Sequence, residues 1–475
     1  MEEIKNIIKN YKYQIVVPVL AAVIFSKYLY LFLGIVVFAI LLKKYGEKIF
    51  IFYTIFTFLS LTSTLDKNLR VFIQVSNYLI LFYLFFKNYG LEYKNYVKPN
   101  KFLSFIVLGS LFLYFFSAMF SGYKLFAFEQ ISRTLQFYML MFLYFQLLYY
   151  YKDVYSYLVA FYIMGVFFTG LLVYQFIVNG FSFLALNDEY MVKLKDFYIP
   201  KNTMGTFFTM VIIMSLIYIY KTKKRIIKQI FLLTIILFSI GLIITNSRSS
   251  IMALIIALFF LFYFQNKRVI VKIVFSLLSL SVLFLIPQVQ DFFSLYMRFE
   301  SFSTGRDLIY VSIWAILPYI WLTGAGPGAT KYFMEKYTPY QINSTEQMWL
   351  DHYYIKADFG HAHNFYLFYF CDLGILGFIF SIMLPYFFFK IGNKCITYLK
   401  GVNEEYYLIS LGISTVGVTY FSRGFLEWSG ILSYGQISTD LPFWILLLIQ
   451  SYIYDKKVGL NKFEDKTNTA TFGSE

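Results

Sequence analysis

The stretch HNFYLFYFCDLGILGFIFSIMLPYFFF, residues 363–389, decides the fold class of this chain. After His363 and Asn364 it runs on with one acid, Asp372, and no Lys or Arg, over a length sufficient to cross a hydrocarbon layer. Such a crossing takes about 20 mostly apolar residues in a helix. The rest of the chain repeats the pattern. Of 475 residues 59% are hydrophobic and 14% charged, with a mean hydropathy of +0.63, values that no water-soluble globule shows. The sequence is therefore read as an all-α polytopic membrane protein.

Outward from that stretch, fourteen apolar segments are placed by hydropathy. They lie at about 13–26, 28–42, 49–64, 70–86, 102–120, 134–150, 154–179, 204–220, 230–245, 251–265, 270–287, 364–389, 404–420 and 440–453. Several are short enough to span only half the layer, so twelve to fourteen transmembrane helices are expected. With both termini inside, inner segments hold 26 of the 41 Lys and Arg, against 10 in the short outer ones, as positive-inside topology requires. The cluster Lys221, Lys223, Lys224, Arg225 and Lys228 is the strongest anchor. The net charge of +15 thus reads as topology and attraction to anionic lipid, with no nucleic-acid partner. The N-terminus MEEIKNIIKNYKYQIVV, residues 1–17, reads as a retained first helix rather than a cleaved leader.

Four regions follow: membrane helices over 1–287, a large outer loop over 288–363 carrying catalytic elements, membrane helices over 364–454, and a short tail over 455–475. A smaller outer segment lies around 181–203. Within the large loop, 307–322 has helical apolar spacing, read as a helix on the membrane surface, and Gly324, Gly326, Pro327 and Gly328 break it. Beyond that turn the loop is polar and aromatic without a clear period. Cys371 and Cys395, 24 residues apart along a helix, lie about 36 Å from each other, too far for a disulfide.

The chain's three histidines, His352, His361 and His363, fall at the end of its longest polar stretch. An imidazole with an ordinary pKa of about 6.5 exchanges protons near neutral pH. Only eight arginines occur, and six of them (Arg70, Arg133, Arg248, Arg298, Arg306 and Arg423) fall outside, where topology does not call for them. A planar guanidinium binds two oxygens of a diphosphate at once. Structural alternatives stay open: Arg248 snorkelling to the interface, Arg306 pairing with Asp307 or Glu300, His363 capping a helix. His361-Ala362-His363, with Asp351, His352 and Asp358 nearby, is too incomplete a ligand set to imply a metal. GAGPG lacks the Lys-Ser/Thr of a phosphate loop.

His363-Asn364, nine residues, Gly374, two residues and Gly377 together resemble the motif of the O-antigen ligase and polymerase superfamily of bacterial envelope glycan transferases. PKNTMG at 200–205, TNSRSS at 245–250 and STGRDLIYVSIW with GAGPG over 303–328 support the likeness. The resemblance implies a GT-C-like membrane fold with one large periplasmic loop, and a metal-independent inverting transferase without a cofactor. Its donor would be an undecaprenyl-diphosphate-linked glycan and its acceptor lipid A core, at the outer face of the inner membrane. It puts His363 at the acceptor, as general base or acceptor-positioning group, and Arg248 and Arg306 on the diphosphate. Lys201, Asn202, His361, Asn364 and Trp349 become candidate substrate contacts, with Tyr353 and Tyr354 beside Trp349 as sugar-stacking rings. A polymerase of repeat units and a protein oligosaccharyltransferase are alternatives within the same superfamily, and the histidine pattern favours the ligase. A transporter or flippase is disfavoured, because acids buried mid-span look almost absent and the halves do not repeat.

Overall fold

A computed structural model describes residues 46–60, 67–180, 191–194, 197–265, 306–337 and 361–459, with single positions at 43, 268, 271, 286, 287 and 290. The expected spans 13–26, 28–42 and 270–287, the residues Trp349, Asp351, His352, Tyr353, Tyr354 and Asp358, and the tail beyond 459 lie outside them.

Thirteen α-helices occur among the described residues. They are α1 (Lys48–Ser60), α2 (Lys67–Tyr89), α3 (Lys101–Phe120), α4 (Lys124–Tyr151), α5 (Val154–Val178), α6 (Lys201–Lys221) and α7 (Arg225–Ile244). They continue with α8 (Arg248–Gln265), α9 (Arg306–Ile320), α10 (Thr330–Tyr337), α11 (Phe365–Leu399), α12 (Glu404–Arg423) and α13 (Ile437–Ile453). In hydrocarbon every backbone amide must find its partner within the chain, so apolar runs become helices. Side chains at the polar junctions start them: Asn100 accepts from Leu103 N at 2.9 Å, Asp153 from Ser156 N at 3.2 Å and Asn403 from Tyr406 N at 3.1 Å, each satisfying an orphan first-turn donor.

Eight of these helices are long and apolar enough to cross a membrane. α4 and α12 have spanning length but are richer in Tyr, Ser, Thr and Gln; α12 and the second half of α4 are largely buried. α13 is buried from Asp440 through Ile453, as expected of a helix apolar on all sides at the centre of a bundle. It packs against α4, α11 and α12, with the Trp444 indole donating to Ile431 O at 2.7 Å. By contrast α7 leaves Ile226, Ile230, Leu233, Ile236 and Ile240 exposed, an apolar surface suited to lipid.

Three features depart from the sequence reading. α4 begins ten residues before the expected 134, because Lys124, Glu129 and Arg133 depress the hydropathy of a turn that is still helical. α10 was not expected. A hairpin of β1 (Met191–Leu194) and β2 (Phe197–Pro200) leads directly into α6, with Met191 opposite Pro200 and Leu194 opposite Phe197; it is the one strand pair among the described residues of an otherwise all-α fold.

Side-chain contacts sort the connections into two ends. At one end Lys48 faces Asp153 at 3.6 Å, Lys87 pairs with Glu47, Lys221 with Glu405 at 2.9 Å, and Tyr149 donates to Asp455 at 2.6 Å. At the other, Ser121 Oγ donates to Ala325 O at 2.7 Å and Phe365 N to Gly424 O at 2.7 Å. The alternation expected of successive crossings is thus present.

α11 is broken at Gly374, where φ is +69° and ψ −162°, a region open essentially to glycine alone. The turn after α9 docks into the break. Ala325 N donates to Cys371 O at 2.8 Å, Gly326 N to Asp372 O at 3.0 Å, and Ile375 N to Trp321 O at 2.9 Å, so carbonyls stripped of helical partners find new ones. A Cβ on Gly374 would lie 2.3 Å from Leu322 O, and one on Gly324 2.2 Å from Asp372 O. GAGPG is therefore a backbone plug for α11.

The same region corrects the expectation that buried acids are almost absent from the spans: Asp372 and Asp440 are both fully buried. Asp372 accepts from Gly328 N at 3.0 Å, Thr330 N at 3.2 Å, the Thr330 hydroxyl and Tyr434 OH at 2.5 Å. Asp440 accepts from Gly430 N at 3.3 Å, Ser433 N at 2.6 Å and Ser433 Oγ at 2.9 Å. A buried carboxylate needs this many donors to be tolerated. Each one holds a loop. Cys371 and Cys395 are free buried thiols in α11.

Candidate functional site

Asn364 is the N-cap of α11. Its carboxamide oxygen accepts from Tyr366 N at 2.9 Å and Leu367 N at 3.1 Å, while its Nδ2 donates to Phe425 O at 2.9 Å. This seats the preceding residue, His363, at φ +44°, a left-handed conformation that costs a non-glycine residue about 1–2 kcal/mol and is held by its surroundings. His363 Nδ1 lies 3.8 Å from Glu427 Oε2, with the imidazole 22% and the carboxylate 6% exposed. Asn202 Nδ2 donates to the other carboxylate oxygen, Glu427 Oε1, at 2.9 Å.

Asn202 belongs to the first turn of α6. One turn on, Gly205 lets that helix close against the 247–250 turn: a Cβ there would meet Ser247 Cβ at 2.7 Å and Ser250 Oγ at 2.9 Å. Those two hydroxyls bond each other at 2.8 Å, and partly buried Arg248 stands between them as the first residue of α8. PKNTMG, TNSRSS and the histidine motif, distant in sequence, therefore meet at one end of the bundle. Buried Lys201 opens α6 beside them. The N-termini of α6, α8 and α11 converge here, and aligned backbone amides make each of them favourable to negative charge. Arg306 is the first residue of α9; its side chain, like all of Trp349, lies outside the described residues. No group of three metal-ligating side chains converges among the described residues.

Residues 232–382 match the family model described as O-antigen ligase. The match supports the O-antigen ligase and polymerase superfamily. The matched window runs from within α7 to within α11 and contains Arg248, Arg306, His363, Gly374 and Gly377. No curated protein matches the chain. An O-antigen ligase or polymerase type of function, carried out by a membrane-embedded helical protein, is the general reading that follows.

Glu427 was not singled out from the sequence, nor was Trp428. A signal was there: Glu427 is the one acid between Glu405 and Asp440, in a stretch that is otherwise apolar and neutral apart from Arg423. Arg423, counted among the outer arginines, is buried, and its Nη1 donates to Ser429 O at 3.2 Å, which braces the segment carrying Glu427.

His361 is buried, with its ring centroid 4.8 Å from that of His363 and 4.0 Å from that of Trp428. Burial first, and the neighbouring His363 second, hold its pKa well below the ordinary 6.5, so His361 is neutral at physiological pH. An unfolded chain takes up that proton below about 6.5 while the folded one does not, so this group's stability contribution is present above that pH and is lost as pH falls. The melting temperature in detergent is expected to drop between pH 7.5 and 5.5, and by less in His361→Gln; an equal drop in both would remove His361 from the account.

Proposed function

We propose that the chain is a glycosyltransferase that moves a saccharide from undecaprenyl diphosphate to a hydroxyl of an envelope acceptor, lipid A core in the ligase form. The reaction takes place at the outer face of the inner membrane, with the Lys-rich end bearing Lys48, Lys87 and Lys221 toward the cytoplasm. The single observation that carries this reading is His363 set against a buried Glu427 that Asn202 holds in place.

Glu427 faces Nδ1, which favours the proton on that nitrogen and leaves Nε2 to accept one. A separation of 3.8 Å is longer than a hydrogen bond, and such contacts tighten when substrate arrives. The acceptor hydroxyl gives its proton to His363 Nε2 as its oxygen attacks the anomeric carbon. The bond from that carbon to the diphosphate oxygen breaks in the same displacement, inverting the centre and releasing undecaprenyl diphosphate. Negative charge grows on the departing diphosphate. Arg248 and the α6 and α8 N-termini stabilise it, with Arg306 assigned to the same task by the sequence likeness. No metal or cofactor enters the scheme.

The ligase form is preferred over the polymerase on the histidine pattern. Purified protein in vesicles, given lipid-linked oligosaccharide and separately core lipid, a second repeat unit or an acceptor protein, is expected to glycosylate core lipid. Arg248→Gln is expected to slow that turnover on the order of 100-fold. Consumption of a second repeat unit alone would replace ligase by polymerase and keep the chemistry. Glycan crossing the vesicle wall with no new glycosidic bond would make the protein a flippase.

A further inference from the structure

His363 has two neighbours that lead in different directions. Through Glu427 it reaches Asn202 and the Arg248 turn; through the His361 ring it reaches a cavity of about 310 Å³. The cavity lies at the outer end, between α4, the Gly328–Lys331 turn, the start of α11 and the segment 428–436. Its size is that of a small-molecule pocket, and its lining is mostly polar, with Phe126, Phe368 and Trp428 as the apolar faces.

We propose that this cavity is the subsite for the acceptor's saccharide, and that it takes a sugar bearing a phosphate or carboxylate. The proposal rests on the transferase reading above. Trp428 supplies a platform whose ring is fixed by His361 at 4.0 Å and Phe368 at 5.0 Å, an apolar face with little entropy left to lose on binding. Gln130 and Gln436 offer amide donors and acceptors on its walls. Arg133 and Lys331 are the cations of the lining. Arg133 is exposed and pairs with Glu129 one turn earlier on α4; an exposed pair of this kind is weak and yields to a ligand anion. Lys331 lies over the Phe126 and Tyr332 rings at 5.3 and 5.2 Å, which aims its ammonium group. Asp372, the one carboxylate among the described lining residues, has both oxygens engaged by Gly328, Thr330 and Tyr434 and faces two cations, so the balance of charge on that lining is positive. Glu427 and Trp428 are consecutive, one facing His363 and the other the cavity. A sugar lying on Trp428 therefore stands two ring contacts from the group that takes its proton.

The test compares a core oligosaccharide carrying phosphate with the same oligosaccharide after phosphatase treatment. Trp428→Ala is expected to raise the acceptor KM about tenfold without raising the donor KM. The double variant Arg133→Gln/Lys331→Gln is expected to cut the KM preference for the phosphorylated acceptor about tenfold. Calorimetric binding of the two oligosaccharides, without donor, repeats the comparison independently of turnover. A rise in donor KM instead, or equal losses on both oligosaccharides, would overturn the assignment. Should wild-type protein bind the phosphorylated oligosaccharide and transfer nothing, the reaction proposed above fails while the subsite stands. If Trp428→Ala does not fold, the rim variant, at solvent-accessible positions, still decides the matter.

Discussion

Replacing His363 by Asn is expected to slow glycan transfer by a factor on the order of 10²–10⁴ while the protein still folds. The choice of Asn follows from the backbone: at φ +44° Ala would add strain, whereas Asn enters the left-handed region more readily than other non-glycine residues. Asn also keeps a polar group near Glu427 but cannot take up a proton. The cap made by Asn364 is untouched, so α11 should begin where it does now. Single-turnover transfer from lipid-linked donor, with the melting temperature as a folding control, separates chemistry from stability. Activity within tenfold of wild type would remove His363 from the reaction.

The second large effect is structural. Gly374→Ala is expected to destabilise the protein by roughly 3 kcal/mol or more and to collapse the yield of folded material. Two costs add there: a conformation closed to side chains, and a Cβ driven to 2.3 Å from Leu322 O and 2.8 Å from Gly324 N. Both obstacles are backbone, which cannot swing aside. Gly401→Ala is the control, since Gly401 has φ +78° and nothing within 4 Å of an added Cβ, so it should cost only about 1–2 kcal/mol. Equal melting temperatures for the two variants in detergent would show that the α9 turn does not lock α11.

The membrane fold was legible because lipid leaves so few options. Once an apolar run is long enough it must be a helix, and the expected 102–120, 154–179 and 404–420 differ from α3, α5 and α12 by a few residues at most. What hydropathy missed was helix built from polar residues: the first turns of α4 and all of α10, which carries Lys331, Glu335 and Lys336. The hairpin at 191–200 is too short to leave a pattern. In the site, residue types were readable but pairings were not. Nothing in spacing links Asn202, His363 and Glu427, which are brought together only by tertiary packing. The histidine motif itself divides on inspection of the contacts. His363 faces the buried carboxylate, whereas Asn364 caps and Gly374 bends, so much of what makes the pattern recognisable is architecture.

The docking of GAGPG into the α11 break has a practical meaning for anyone recombining such proteins. Leu322, Gly324 and Gly374 fit as key and keyhole through main-chain atoms, so neither side tolerates a foreign counterpart of different shape. A chimera that transplants an outer loop to change substrate choice should carry residues 321–330 and 371–377 from one parent as a single cassette.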